Sequence, residues 1–306
     1  MSSPFGPLVL IANPKSGGGK VGKSLPEIEH RLDEEGLEYR VVQTTGPGHA
    51  SQAAREALDL GERFVVAAGG DGTIHEVVNG MIAHDQPVVP DAVLGVVAAG
   101  SGSDFVRTFG IPGDAVEASE HLMGDATRRI DVGKITFRED GRDVVRYFPN
   151  IAEAGLGGSV VERASRLPRF LGPTQYFFAV WMVLPRFRSA RITVNADGET
   201  YEGHARNVVV ANCRYYGGGM HISPDSQPDD GQLDVILMIG PKREVFTLLP
   251  RVYRGTHLQH PHMRQLSAKK LTVEADQPFR IEADGEVLGT TPATFEVIPT
   301  PIRLKI

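Results

Sequence analysis

Four short apolar runs, Leu8–Ala12, Tyr39–Gln43, Arg63–Ala68 and Val93–Ala99, recur through the first hundred residues with longer amphipathic stretches between them. Parallel strands cannot be closed by tight turns, and a helix with one apolar face is the crossover that joins them while covering the sheet. The intervening stretches fit that role. In "TIHEVVNGMIAH", Ile74, Val77, Val78, Met81 and Ile82 repeat at helical spacing and make one apolar face. Gly36 and Gly61 stand where such helices stop. The first third of the chain therefore predicts an open parallel α/β domain.

Beyond about residue 130 the texture changes. "ARITVNADGE", "ARNVVVANCRYY", "QLDVILMIG" and "KKLTVEADQPFRIEADGEVLG" are short, β-branched and punctuated by Asp-Gly, Gly and Pro, which reads as antiparallel strands and hairpins. Helical interruptions are expected near 158–167, 174–184 and 242–254. The predicted organisation is an α/β domain over 1–129 followed by a mostly antiparallel β-sandwich domain over 130–306.

Composition removes several function classes. The net charge of −6 argues against general nucleic-acid binding, which needs a basic face. The longest apolar run, Tyr176 to Leu184, has nine residues, whereas a spanning helix needs about 20. The N-terminus lacks a basic stretch and cleavage site, so no signal peptide is expected. One cysteine, Cys213, allows neither an internal disulfide nor a cysteine-rich zinc cluster. These features fit a cytoplasmic protein.

"GGGKVGKS" (17–24) matches both a nucleotide P-loop and, in its first six letters, a dinucleotide fingerprint. Neither context is met. "NPKS" separates the first strand from the first glycine, and no apolar strand ends directly in a magnesium-binding Asp. The second strand, "YRVVQTT", does not end in the acid that would hold a ribose.

"VVAAGGDGTIHEVVNG" (65–80) carries more. Gly69, Gly70 and Gly72 let the backbone approach phosphates and offer them its N–H groups. Thr73 followed by Glu76 reads as a capping box, with the positive helix end toward the anion. Asp71 among phosphates would bind the nucleotide's magnesium or take a proton from an acceptor hydroxyl. "VVAAGSGSDFVRTFGIP" (96–112) repeats the design, with Ser101 and Ser103 offering hydroxyls and Asp104 in a capping position.

With these pieces in order, the sequence resembles the diacylglycerol kinase catalytic-domain superfamily, in particular its soluble bacterial lipid kinases. The resemblance rests on "NPKSGGG", "TTGPGHA", "GGDGTIHEVVNG", "GSGSDFVRTFGIP", "DVG" from Asp131, "DDGQLDV" and "EADGEVLG", which span nearly the whole chain. It implies a phosphofructokinase/NAD-kinase-like first domain and an ATP site at Asn13, Pro14, Lys15, Ser16, Gly17, Thr44, Gly70, Asp71, Gly72, Thr73, Ile74, His75, Glu76 and Ser101. It also implies catalytic groups at Asp284 and Glu286, with Asp71 the competing base. A magnesium ion would be held by Asp230 and the backbone carbonyls of Gln227 and Gln232, with Asp131 behind it through water. The implied activity is transfer of the γ-phosphoryl of Mg-ATP to a lipid hydroxyl, most plausibly that of diacylglycerol.

The segment 160–192 holds six arginines against one acid, interleaved with Phe170, Tyr176, Phe177, Phe178, Trp181 and Phe187. Such a stretch in an acidic chain predicts peripheral contact with an anionic membrane. An exposed β edge offers a route to a homodimer. The histidines of "THLQHPHM" (257, 260, 262) could bind a transition metal, but Pro261 breaks any regular face, and they read first as a solvated loop. Two alternatives remain: a kinase of a soluble acceptor, as in NAD kinases, and a nucleotide-binding regulatory protein without turnover.

Overall fold

A computed structural model describes residues 3–98, 104–167 and 174–306. The chain divides into two units, residues 1–131 with 299–306, and residues 132–298.

In the first unit the apolar runs become β1 (Leu8–Ala12), β2 (Tyr39–Gln43), β3 (Phe64–Gly69) and β6 (Val93–Ala98). The connecting helices are α1 (Ser16–Glu34), α2 (His49–Asp59) and α3 (Asp71–Met81), followed by α4 (Asp104–Phe109) and α5 (Ala115–Glu120). A small hairpin, β4 (Ile82–Ala83) with β5 (Gln86–Pro87), leaves α3 before β6. β1, β3 and β6 are wholly buried, as strands covered on both faces must be. Gly36 and Gly61 end α1 and α2 with φ of 65° and 88°, a conformation glycine adopts without steric cost.

The strand order is β2–β1–β3–β6, all parallel. Next to β6 lies the far end of the last strand, β20 (Ala293–Lys305), pairing in parallel through Arg303 and Leu304. Residues 299–306, expected with the β-rich domain, thus join the α/β sheet. β1 has β2 on one side and β3 on the other, so connections diverge at the carboxyl ends of β1 and β3. That divergence is the crevice where open α/β sheets bind ligands.

The second unit is built from strands, beginning with β7 (Thr127–Glu139), which enters from the first unit, β8 (Arg142–Phe148) and β9 (Ile151–Gly155). Helices α6 (Leu156–Ser165) and α7 (Thr174–Val183) follow. Next come β10 (Ala190–Ala196), β11 (Glu199–Ala205), β12 (Asn207–Ala211) and the short pair β13 (Tyr215–Tyr216) and β14 (Met220–His221). After β15 (Leu233–Met238) and α8 (Glu244–Tyr253), the chain completes β16 (Met263–Ala268), β17 (Lys270–Ala275), β18 (Arg280–Ala283) and β19 (Glu286–Thr290).

One sheet of this unit runs β11–β10–β17–β20, with β7 joining β20 to β8; the other runs β16–β15–β12–β9–β18–β19. Phe137, Phe148, Ile192, Val208, Val235 and Phe295 come from both sheets and form one buried core, the arrangement of a sandwich. The three helices lie close to where the apolar periodicity placed them.

Candidate functional site

The loops after β1 and β3 are stitched together at the sheet's carboxyl edge. The Asn13 amide donates to Ala68 O at 2.9 Å, and Asn13 Nδ2 donates to Thr73 Oγ1 at 3.4 Å. Asn13 also organises its own loop, its Oδ1 accepting from Lys15 N at 3.2 Å. Gly17, Gly18 and Gly19 follow in three successive left-handed conformations (φ 60°, 71° and 88°), which only glycine adopts routinely. A Cβ built on Gly70 would stand 3.4 Å from Ser16 Oγ, so the serine hydroxyl faces the glycines after β3. Thr44 N, just past β2, donates to Ala12 O at 2.8 Å and brings the third loop to the same edge.

The capping box is not formed. α3 starts two residues before Thr73, at Asp71 with Gly70 as its cap, because the extended backbone of Gly70 admits the helix immediately. Thr73 is therefore buried within the first turn. Glu76 instead accepts from Gly48 N at 2.9 Å and Ala50 N at 3.0 Å, closing the start of α2 from outside. The side chains of Ile74 and His75 are buried on α3, and the Ile74 amide already donates to Gly70 O at 3.2 Å.

Asp71 accepts from the amides of Asp104 and Phe105, one on each carboxylate oxygen, at 3.2 Å. It is Asp71, not Asp104, that caps α4; Asp104 already lies inside that helix, buried, with Arg107 at 3.6 Å. Ser101 lies outside the described residues.

In the second unit the Asp-Gly-Glu turn is held at its base. Asp284 and Gly285 both have positive φ (50° and 87°), as a two-residue hairpin requires. Asp284 Oδ1 accepts from Asn150 N at 3.2 Å and Ile151 N at 3.0 Å, and Asp284 N donates to Ile151 O at 2.9 Å. Gly285 N donates to Glu282 Oε2 at 2.9 Å. The Asp-Gly hairpins at 140 and 197 have the same backbone, but there the Asp is exposed, whereas Asp284 is buried. Glu286 is the exposed acid of the turn.

Beneath the turn lies a carboxyl pair that the motifs did not flag. Glu153 on β9 is the register partner of Glu282 on β18, and both are buried. Their strand neighbours Ala152, Ala154, Ile281 and Ala283 face the sandwich core, so alternation turns both acids to the face under α6. Glu153 accepts from Asn207 Nδ2 at 2.8 Å and from the Tyr216 hydroxyl. Burial pushes both carboxyls up, further for Glu282, which also feels the charge of Glu153. Tyr216 is pushed above its ordinary range, first by burial and then by Glu153. The available signal was the acid itself, alone in the apolar run "IAEAG".

The expected magnesium ligands divide between the units. Gln227, Asp230 and Gln232 lie exposed in the second, where Asp230 Oδ1 accepts from Gln232 N at 2.9 Å. The Gln227 carbonyl receives only a long bond from Asp230 N, 3.4 Å, so this all-oxygen set retains the hard donors that magnesium takes. Asp131 belongs to the first unit, fully buried, and accepts from Thr300 N at 2.7 Å.

α7 is apolar on nearly every side, and Tyr176, Phe177, Phe178, Trp181 and Met182 are exposed. The Tyr176 side chain reaches from the first turn of α7 to the acid turn, since a Cβ on Gly285 would lie 3.9 Å from the Tyr176 hydroxyl. A cavity of about 600 Å³ between α6 and α7 is lined by Trp181, Met182 and Phe187 together with Arg163, Arg166, Arg186 and one acid, Glu162. Among the described residues no helix is long and apolar enough to cross a membrane.

The family model for the diacylglycerol kinase catalytic domain matches residues 7–135, and that for the YegS C-terminal NAD kinase beta sandwich-like domain matches 150–306. The chain is 31% identical over 289 residues to a diacylglycerol kinase of Bacillus subtilis, covering 94% of this chain and 91% of that protein. It is 30% identical over 288 residues to a diacylglycerol kinase of Staphylococcus haemolyticus, covering 94% and 84%. The fold is similar to that of a crystallised diacylglycerol kinase from Bacillus anthracis, with TM-score 0.73, 21% identity, and coverage of 99% of this chain and 97% of that one. A more distant likeness is to yeast NADH kinase, with TM-score 0.53, 14% identity, and coverage of 97% and 82%.

Proposed function

The chain belongs to the diacylglycerol kinase family, and from that premise we propose that it transfers the γ-phosphoryl of Mg-ATP to the hydroxyl of diacylglycerol, giving phosphatidate. The observation that carries the lipid acceptor is the position of α7. An exposed aromatic helix sends the Tyr176 hydroxyl to the Asp284–Glu286 turn, so an acceptor hydroxyl there would arrive with apolar chains against α7 and the cavity it lines with α6.

The nucleotide's phosphates are assigned to the first unit, where Gly17, Gly18 and Gly70 let the backbone approach and α3 presents its positive end; the amides of Gly19, Thr73 and Ile74 are already bonded to Lys15 O and Gly70 O. Lys15, Ser16 and Thr44 add side chains at the same edge. Asp71 holds α4 against this edge, which fixes a carboxylate among the groups assigned to the phosphates. Magnesium bound with the nucleotide would neutralise charge on the phosphates. The oxygen set of Gln227, Asp230 and Gln232 would hold a second ion and brace its loop.

Glu286 is assigned as the base that draws the proton from the acceptor hydroxyl. Asp284 already receives two backbone amides on one oxygen and is buried, which suits it to position the turn; Glu286 follows in the same turn and faces solvent. The experiment is transfer of labelled γ-phosphate to diacylglycerol, sphingosine, ceramide and phosphatidylglycerol in mixed micelles, with NAD and fructose 6-phosphate in solution. Label in diacylglycerol, lost in Glu286→Gln, supports the reading. Label only in NAD or the sugar would replace it with a soluble-acceptor kinase, and ATP binding without label anywhere would favour a regulatory role.

A further inference from the structure

In the second unit, three metal-ligating side chains that neither candidate site uses converge. Glu244 is the first residue of α8; His260 and His262 lie on the segment that leads into β16. His262 Nδ1 is 2.6 Å from Glu244 Oε2, the His260 and His262 rings are 5.4 Å apart, and one ligand atom from each of the three lies within 4.8 Å of the others. Backbone geometry explains the convergence. Residues 260–263 form a turn closed by Met263 N donating to His260 O at 2.9 Å, and within it His262 N donates to His260 Nδ1 at 3.3 Å, so the turn about Pro261 folds the two rings to one side and leaves Nε2 of His260 as its ligand atom. Gly240 keeps the space open, since a Cβ there would overlap Glu244 Oε2 and stand 2.9 Å from His262 Cβ. His257 is not part of the group; it is buried and its Nε2 pairs with Ile222 O at 3.0 Å.

We propose that Glu244, His260 and His262 form a binding site for a borderline divalent transition ion, of which zinc is the probe. Two imidazoles and one carboxylate, all partly exposed, make a three-ligand set that leaves a fourth position for water. Bonds of about 2.0–2.2 Å in tetrahedral geometry place donor atoms roughly 3.4 Å apart, so the close Glu244–His262 contact opens slightly and the His260 ring closes in. The opposing charge is Arg206, whose guanidinium feels Glu244 and donates to Gly240 O. It repels a cation, which coordination by the carboxylate and two imidazoles has to offset. The ion would pin the start of α8 to the entry of β16. α8 also carries Phe246, which stacks on Trp181 at 4.5 Å, so the chain's one tryptophan reports on the site.

The test is zinc titration of the full chain, without a polyhistidine tag, against a chelating indicator. One high-affinity zinc per chain is expected, with a change in tryptophan fluorescence, and excess magnesium does not compete. His260→Ala with His262→Ala, and separately the isosteric Glu244→Gln, weaken binding at least about tenfold. His30→Ala, at an exposed histidine on α1, leaves binding unchanged. No zinc bound by the parent chain, or equal binding by parent and Glu244→Gln, would overturn the proposal.

Discussion

The carboxylate of Glu153 occupies the space over Gly157, so that a Cβ at 157 would overlap its Oε2. The same glycine donates its amide to Asn207 Oδ1 at 3.1 Å, and Asn207 Nδ2 donates back to Glu153, closing a short circuit between β9, β12 and the start of α6. In an ordinary helix Gly→Ala stabilises by up to about 1 kcal/mol. Here the added methyl meets a buried acid, and Gly157→Ala is expected to destabilise by about 1–3 kcal/mol in denaturant melts. Adding Glu153→Ala should recover part of that loss, a coupling of the sign expected when a clash is relieved.

The buried pair makes stability depend on pH. Folded Glu153 has its pKa raised by burial from 4.5 to about 7, and Glu282 is raised further. A raised carboxyl contributes stability that is full below its unfolded value and is lost as pH rises through the folded one. The melting temperature is therefore expected to fall between about pH 5 and pH 8 through this pair. His221 and His257, lowered chiefly by burial, work in the opposite sense below about pH 6.5. The measurement is thus a difference: Glu153→Gln should be less sensitive than the parent over that range, and parallel curves would show that Glu153 does not titrate there.

Asp71 and Glu286 separate by comparing kinetics with stability. Glu286 is exposed, and Glu286→Gln should change stability by less than about 0.5 kcal/mol while lowering transfer by about 10²–10⁴. Asp71→Asn leaves one oxygen for two amides, so it should lose about 1 kcal/mol of α4 capping as well as activity. Near-parental kcat in Glu286→Gln, with kcat lost in Asp284→Asn, would move the base to Asp284.

The strands of the first unit were legible because each is a contiguous apolar run bounded by turn residues, and β1 and β2 begin and end where those runs do. What local reading missed depends on partners distant in sequence. Thr73 and Glu76 have capping-box spacing, yet Glu76 is claimed by Gly48 and Ala50, and Asp71 serves a helix that starts 33 residues later. Residues 299–306 resemble one more antiparallel strand until β6 supplies a parallel neighbour. The three Asp-Gly hairpins are alike as dipeptides; Asp197 is anchored on Lys269 and Lys270 much as Asp284 is on Asn150 and Ile151, and burial alone separates Asp284 from it and from Asp140.

The membrane reading turns on whether the exposed side chains of α7 are a docking face or a tolerated surface. Phe177 and Trp181 are 54% and 50% exposed, and single apolar residues are ordinary on surfaces, but several on one helix beside an arginine-lined cavity are not. Apolar burial and headgroup attraction are separable. Phe177→Ser with Trp181→Ser should weaken sedimentation with both phosphatidylcholine and phosphatidylglycerol vesicles. Arg163→Gln, Arg166→Gln and Arg186→Gln together should weaken only the anionic case, by up to about 3 kcal/mol at low salt. Arg166 already pairs with Glu162 at 2.8 Å, so it should contribute least of the three. Unchanged binding in both sets of variants would mean that α7 does not touch the bilayer and that the acceptor is drawn from solution.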